Sequence, residues 1–244
     1  MTKTAPSSPD EDIIALDPKD SIAEGGERWV FLHPDYPQVL IKVLKPRKTE
    51  MFDRWWTFGH LSQRFLPASR YRSTAKQYDE YRRLVMENLF DPDFELPVAH
   101  LYGFVKTSLG YGCLTEHITD GSGGTALNLQ QRIEAGTFTE ADREGLNRFV
   151  ERLYDISICA ADMGPANFVY GHRGSGRPGS NGAPQWVLVD GFGDRYAITA
   201  RTYSRRIRLR GMDSRFRKGK KVRGLRWCSD ARQFEFEDGY RLIT

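Results

Sequence analysis

The sequence predicts an α+β chain in two lobes, the first rich in strands and the second a reduced helical one. Apolar runs of strand length, separated by Pro, Gly and Asp turns, occupy much of residues 21–118. The longest helical period follows at Thr139–Ile158. Strands come mostly first and helices later, the order of an α+β fold and not of an alternating parallel sheet. The 244 residues, 39% of them hydrophobic, suffice for one full domain or for two small lobes sharing a cleft. No run approaches the roughly 18 apolar residues of a membrane span. The N-terminus reads MTKTAPSSPDEDIIALDP, with Pro, Ser and acids where a signal peptide needs an apolar stretch. Cys113, Cys159 and Cys228 stand isolated, so neither a disulfide framework nor a zinc site is expected. A cytoplasmic protein without a transmembrane segment is the expectation.

Residues 1–20 read as a flexible leader, polar and with two prolines by position 9. Residues 21–118 are assigned to the N-terminal lobe, with an insertion near 46–75. Within it, Trp29–Leu32 and Val39–Val43 flank the turn HPDYPQ and read as an antiparallel strand pair. TAKQYDEYRRLVMENLF is a helix candidate, with Tyr78, Tyr81, Leu84, Val85 and Leu89 at spacings of three and four. LPVAHLYGFVKTSLGYGCLTEHI supplies further strands, with LGYG as a tight hairpin turn. Residues 119–244 form the reduced C-terminal lobe. Its central helix places Leu146, Phe149, Val150, Leu153 and Tyr154 on one stripe, with Thr139 as N-cap. The loop CAADMGPANFVYG ends in a short strand. The glycine-rich GHRGSGRPGSNGAPQ leads to another strand, WVLVD, and then to GFGD. His33, His60, His100, His117 and His172 are scattered and read as surface or strand histidines.

The chemistry gathers in DMGPANFVYG and VLVDGFGD. Asp162 and Asn167 lie five apart across a loop containing Pro165, and Asp190 ends an apolar strand just before Gly191. Phosphoryl transfer needs a carboxylate to orient or accept the proton of an attacking hydroxyl, and side-chain oxygens to hold Mg2+ against phosphates. D-x-x-x-x-N followed by a strand ending in D-G resembles the catalytic and metal-binding loops of the protein-kinase superfamily. Upstream, Gly25 and Gly26 offer a turn whose backbone can approach phosphates. Lys42 ends an apolar run, and Glu80 lies on the helix candidate, with Asp79 and Glu87 on nearby turns.

GGERWVFLHPDYPQVLIKV, GFVKTSLGYGCLTEHITD and DMGPANFVYG…WVLVDGFGD resemble the YrbL family of the PhoP regulatory network over roughly residues 20–200. His33–Pro34 and the VDGFG run are the most specific pieces. The resemblance implies a protein-kinase-like fold that binds ATP and Mg2+. It makes Lys42 the phosphate-contacting lysine, Glu80 its ion-pair partner, and Asp162 the catalytic base. Asn167 and Asp190 become the Mg2+ ligands. The adenine would lie against CLTEHI, on the backbone of Glu116 to Ile118, with the Gly25–Gly26 turn over the phosphates. The implied function is phosphotransfer to a protein, lipid-linked or small-molecule acceptor. Ala160 and Ala161 stand where protein kinases carry His and Arg, Gly164 stands where many carry Lys, and no A-P-E closure appears. These departures keep open a pseudokinase-like regulatory protein without turnover.

Charge suggests a third alternative. Residues 201–226 hold twelve Lys or Arg and one acid, Asp213, a local +11 in a chain of net charge +4. Such a segment attracts polyanions, nucleic acid among them, or forms a solvated basic flank. Its only possible stacking aromatics before Trp227 are Tyr203 and Phe216.

Overall fold

The computed structural model describes residues 13–24, 27–45, 72–174, 182–193, 204–219, 222 and 224–237. The chain divides into two compact units, Met1–Arg54 with Leu101–His117 and Trp55–His100 with Ile118–Thr244. Strands and helices are both well represented and the named strand pairs are antiparallel, the α+β class expected.

The first unit is a five-stranded sheet. Its strands are β1 (Ala23–Glu24), β2 (Arg28–Leu32), β3 (Val39–Leu44), β4 (Leu101–Thr107) and β5 (Gly110–Glu116), in the order β1-β2-β3-β5-β4. The alternation of a strand sorts its faces. Phe31, Ile41 and Val43 are buried together, with Trp29, Val105, Leu109 and Leu114 packed against them. Lys42, between Ile41 and Val43, falls on the opposite face, in one cross-strand row with Val30 and Cys113. The strand pair expected around HPDYPQ is present, in the register Phe31↔Ile41. Its turn is organised by His33, whose N–H donates to the Val39 carbonyl at 3.0 Å and whose Nδ1 accepts from the Asp35 N–H at 3.2 Å.

Two local expectations shift. The β4–β5 turn lies at Ser108–Leu109, ahead of most of LGYG, because Gly110 already pairs with Thr107 as a strand residue. Its φ of +107° is open to glycine and costly for other residues, and the Thr107 hydroxyl donates to its carbonyl at 2.6 Å. The leader also ends early. The Ile14 N–H donates to the Lys106 carbonyl at 3.1 Å, and the Ser108 N–H to the Ile14 carbonyl at 2.9 Å. Ile14 and Leu16 then pack on the sheet core. An apolar pair within an otherwise polar stretch finds its partners on the β4 side of the sheet, where backbone groups would otherwise lack a strand neighbour.

The second unit contains helices α1 (Arg72–Glu87), α2 (Leu129–Glu134), α3 (Glu140–Asp155) and α4 (Arg205–Lys218). Strands β6 (Ile118–Thr119), β7 (Phe168–Arg173) and β8 (Gln185–Leu188) make a sheet in that order, and β9 (Leu225–Cys228) and β10 (Gln233–Phe236) make a hairpin. Helix α3 is the spine. Leu146, Phe149, Val150, Leu153 and Tyr154 are all buried, as their period predicts. Thr139 and Asp142 close a capping box at its start, and Asp142 also pairs with Arg132 of α2 at 2.8 Å. The basic segment joins this core. Met212 and Phe216 of α4 are buried, Phe216 stacks on Trp227 at 4.3 Å, and Phe234 closes the cluster. Asn147 of α3 exchanges two hydrogen bonds with the backbone of Phe234, at 3.0 and 2.8 Å.

Helix α1 buries a different stripe from the one its apolar residues suggest. Thr74, Gln77, Glu80 and Leu84 face inward, whereas Leu89 lies beyond the helix end and is exposed. Tyr81 is half-buried, with its hydroxyl 3.0 Å from Nδ1 of His100. Three of the four inward residues are polar, so their partners lie in the unit's interior and a hydrophobicity period passes over them.

Candidate functional site

The loop after α3 starts with a forced turn. Ser157 adopts φ +44°, in the left-handed region that usually takes glycine at a helix C-terminus. Its N–H donates to the Tyr154 carbonyl at 2.9 Å, and the next N–H, of Ile158, donates to Leu153 at 3.1 Å. This closes the helix and sends the chain into CAADMGPAN. Pro165 then opens a short 3-10 turn, Pro165–Asn167, before β7. The Gly164 N–H donates to Asp162 Oδ1 at 2.9 Å, which holds the exposed Asp162 carboxylate. The side-chain amide of Asn167 donates to the Asp162 carbonyl at 3.3 Å, turning its Oδ1 away from that carbonyl.

The second loop lies directly against the first. Both the Ala161 and Asp162 N–H groups donate to the Gly191 carbonyl, at 2.8 and 2.9 Å, and the Val189 N–H donates to the Asn167 carbonyl at 2.9 Å. Gly191, at φ +81°, is pressed so close that a Cβ would stand 2.2 Å from the Asp162 carbonyl oxygen and 2.8 Å from the Asn167 amide. The glycine after Asp190 is therefore the condition for bringing Asp162, Asn167 and Asp190 into one place. Asp190 Oδ1 accepts from the Gly191 N–H at 2.7 Å and from Gln77 Nε2 at 2.9 Å.

Helix α1 holds both loops. Gly193 (φ +97°) donates to the Cys159 carbonyl, and a Cβ there would meet the Lys76 carbonyl oxygen at 2.5 Å. Glu80 is buried, its Oε1 accepting from the Cys159 N–H at 2.7 Å. Both its oxygens also take Arg83, at 2.9 Å from Nε and 2.6 Å from Nη2. Arg83 pairs with Glu87 as well. Burial opposes the charge of Arg83, but its hydrogen bonds to Glu80 and Glu87 outweigh that and raise its pKa. Arg208 of α4, at the other side of the loop, places Nη2 3.4 Å from the Ser157 hydroxyl, and burial lowers its pKa. Gln77, Arg83, Arg208 and Gly193 escaped the sequence reading. The one available signal was the 3-3-4 spacing of polar residues Thr74, Gln77, Glu80 before Leu84.

The remaining expected residues belong to the first unit or to the start of the second. Lys42 is half-buried on β3, the central strand of its sheet, where an edge strand would have made it an ordinary solvent-facing lysine. On the same face, one row along, Thr115 pairs with Leu40, and its hydroxyl is buried without a hydrogen-bond partner among the described residues. Glu116 ends β5 opposite Val39 with only 1% of its surface exposed. His117 is equally buried. It donates from its backbone to Gln38 at 2.9 Å and from Nδ1 to the Pro37 carbonyl at 2.8 Å. Ile118, in the second unit, is buried in β6, and its carbonyl accepts from the Ala126 N–H at 3.0 Å. Gly25 and Gly26 lie outside the described residues, as do residues 46–71 of the insertion expected near 46–75.

The donors of the two loops are hard oxygens: Asp190, Asn167 Oδ1 and, beside them, Asp162. That set suits Mg2+, which is usually held by one or two carboxylates with phosphates and water completing the shell. Among the described residues, no group of three His, Cys, Asp or Glu side chains is placed to hold a metal ion without such help. Among the described residues, no helix is long and apolar enough to cross a membrane.

The model of the family described as PhoP regulatory network protein YrbL matches residues 14–222. Among curated proteins none matches the chain.

Proposed function

The chain belongs to the family of the PhoP regulatory network protein YrbL, and we propose that it is a protein-kinase-like phosphotransferase using ATP and Mg2+. The observation that carries this reading is the hydrogen-bonded union of the Asp162–Asn167 loop with the Asp190–Gly191 loop. Mg2+ would supply charge neutralisation for the phosphates when bound. Asp190 and Asn167 are the residues to hold it. Asp162, exposed and steadied by the Gly164 N–H, is the carboxylate to orient the acceptor hydroxyl and receive its proton. In the first unit, Lys42 offers an ammonium to phosphate oxygens. The buried Thr115 hydroxyl on the same face needs a polar partner that a nucleotide would provide. The acceptor is a hydroxyl compound: a protein, a lipid-linked sugar or a small molecule.

One observation favours a second reading, a nucleotide-binding regulator without turnover. Glu80, which the resemblance assigns to Lys42, gives both oxygens to Arg83 and one also to the Cys159 N–H within its own unit. Transfer of label from γ-phosphate-labelled ATP, to water or to protein acceptors from lysate, separates the two. Turnover in the natural sequence that disappears in Asp162→Asn, with nucleotide binding retained, supports phosphotransfer. Equal turnover in Asp162→Asn removes that residue from the role of base.

A further inference from the structure

Helix α4 carries more charge than its packing uses. Its inward face, Arg208, Gly211, Met212 and Phe216, is buried. Its one acid, Asp213, accepts from the Tyr154 hydroxyl at 2.8 Å and from Arg232 at 3.1 Å. The helix therefore has no acid left to neutralise its outer side. There, Arg206, Arg210 and Arg217 are exposed and recur at spacings of four and seven, which places them on one stripe. None of the three guanidiniums takes a hydrogen bond or ion pair among the described residues. Exposed Lys218 follows at the C-terminal end. At 1.5 Å per residue, the row from Arg206 to Arg217 is about 17 Å long.

We propose that this row is a docking surface for the phosphate backbone of double-stranded DNA, held by charge and without base readout. A duplex strand carries one negative charge for roughly each 3.4 Å of axis, so a row of this length meets several phosphates in any register. Guanidinium forks suit phosphate oxygens. The chemistry of the face disfavours other polyanions. A membrane-surface helix needs an apolar side to insert, and Met212 and Phe216 are spent on the protein core. Single strands need a run of stacking aromatics; of the segment's two, Phe216 is stacked on Trp227 inside the fold, which leaves Tyr203, outside the described residues, too few for a platform. A protein partner needs an apolar anchor, for which the outer face offers only Ile207. The exposed side of α4 can lie along the wide major groove of B-form DNA with its arginines on the flanking phosphates, whereas the major groove of A-form RNA is too narrow to admit side chains. This surface does not depend on the phosphotransfer reading.

The test is fluorescence anisotropy of the full chain with a labelled random-sequence 20-bp DNA duplex between about 50 and 150 mM KCl. Three phosphate contacts predict a log–log salt slope near −2.7, an affinity loss of about 20-fold over that range. The triple variant Arg206→Gln/Arg210→Gln/Arg217→Gln should lose most binding and flatten the slope at an unchanged melting temperature. A charge-matched control, Arg82→Gln/Lys106→Gln/Arg148→Gln, should keep both. Absent binding at 50 mM salt overturns the proposal. Equal loss in the two triples overturns it in favour of diffuse charge. Tighter binding to an RNA duplex, to polyglutamate or to phosphatidylserine vesicles than to the DNA overturns the choice of partner.

Discussion

Gln77 shows how much one neutral side chain can decide. It is 4% exposed, lies one turn before Glu80, and donates to Asp190 Oδ1 at 2.9 Å. A hydrogen bond to a metal-ligating carboxylate fixes its orientation, and loss of such a partner typically costs 10- to 100-fold in metal affinity. Gln77→Ala is expected to raise the Mg2+ concentration needed for half-maximal ATP binding by about 10-fold or more. Binding measured without Mg2+ should change little. Calorimetry over a Mg2+ series checks this, and an unshifted series would remove Gln77 from that role. Beyond the polar spacing it shares with Thr74 and Glu80, nothing in the sequence distinguishes this Gln from a surface residue, because its partner is 113 positions away. Asp162, Asn167 and Asp190, the candidate donors, each stand within a short local pattern. Gly191 belongs to the same pattern, but the reason for it, a carbonyl 2.2 Å from where its Cβ would lie, is visible only in three dimensions.

Among the elements, α3 was the plainest in sequence and is the most consequential in structure. Its cap, Thr139, accepts from the Asp142 N–H, while Asp142 reaches back to the Thr139 N–H. Thr139→Ala should cost about 1 kcal/mol in denaturant melts. Asp142→Ala should cost more, because it also strands the Arg132 guanidinium. At the other end of α3, Tyr154 donates to Asp213 of α4 at 2.8 Å. Burial first, and that hydrogen bond second, push its phenol pKa well above the usual range. A raised pKa in the folded state favours the neutral form. Its contribution is therefore complete below the unfolded value of about 10 and is lost as pH rises beyond it. Tyr154→Phe should start from lower stability at pH 8, by about 1 kcal/mol for the hydrogen bond. It should then fall less steeply than the natural protein between about pH 10 and 11. Parallel slopes would contradict the burial argument. Helix α1 is present as its period predicts, but of Tyr78, Tyr81, Leu84, Val85 and Leu89 only Leu84 is fully buried, whereas polar partners in the unit's interior select Thr74, Gln77 and Glu80. Periodicity measures hydrophobicity, and a polar stripe that buries itself by pairing is invisible to it.

For the whole molecule, the test is ligand linkage. A ligand that binds only the folded state stabilises it by about 2.7 kcal/mol at 100 times its dissociation constant. In a chain of this size that is a rise of roughly 5–10 °C in melting temperature. ATP with Mg2+ should give such a shift, and Asp190→Ala should abolish its Mg2+-dependent part. A full shift in Asp190→Ala would count against Asp190 as the metal ligand. The basic segment makes the complementary point. Its +11 was plain from composition, yet the chain does not leave it as an appendage. Met212 and Phe216 carry α4 into the core of the second unit, and Arg206, Arg210 and Arg217 line its exposed side.

Local order was written in the residues: the strand pair around HPDYPQ, the capped spine of α3, and two short loops carrying Asp162, Asn167 and Asp190. The strand pair, the capped helix and the two loops as backbone segments are set by turn chemistry, by hydrophobic period and by spacing of a few residues, all of which act within reach of neighbouring positions. The burial of a polar stripe on α1, the capture of Glu80 by Arg83 and Cys159, the seating of Ile14 and Leu16 beside β4, and the outward row on α4 are decided by packing. Each depends on partners tens of residues away, or on which face a core has already claimed. A linear pattern cannot encode that choice until the chain has closed on itself.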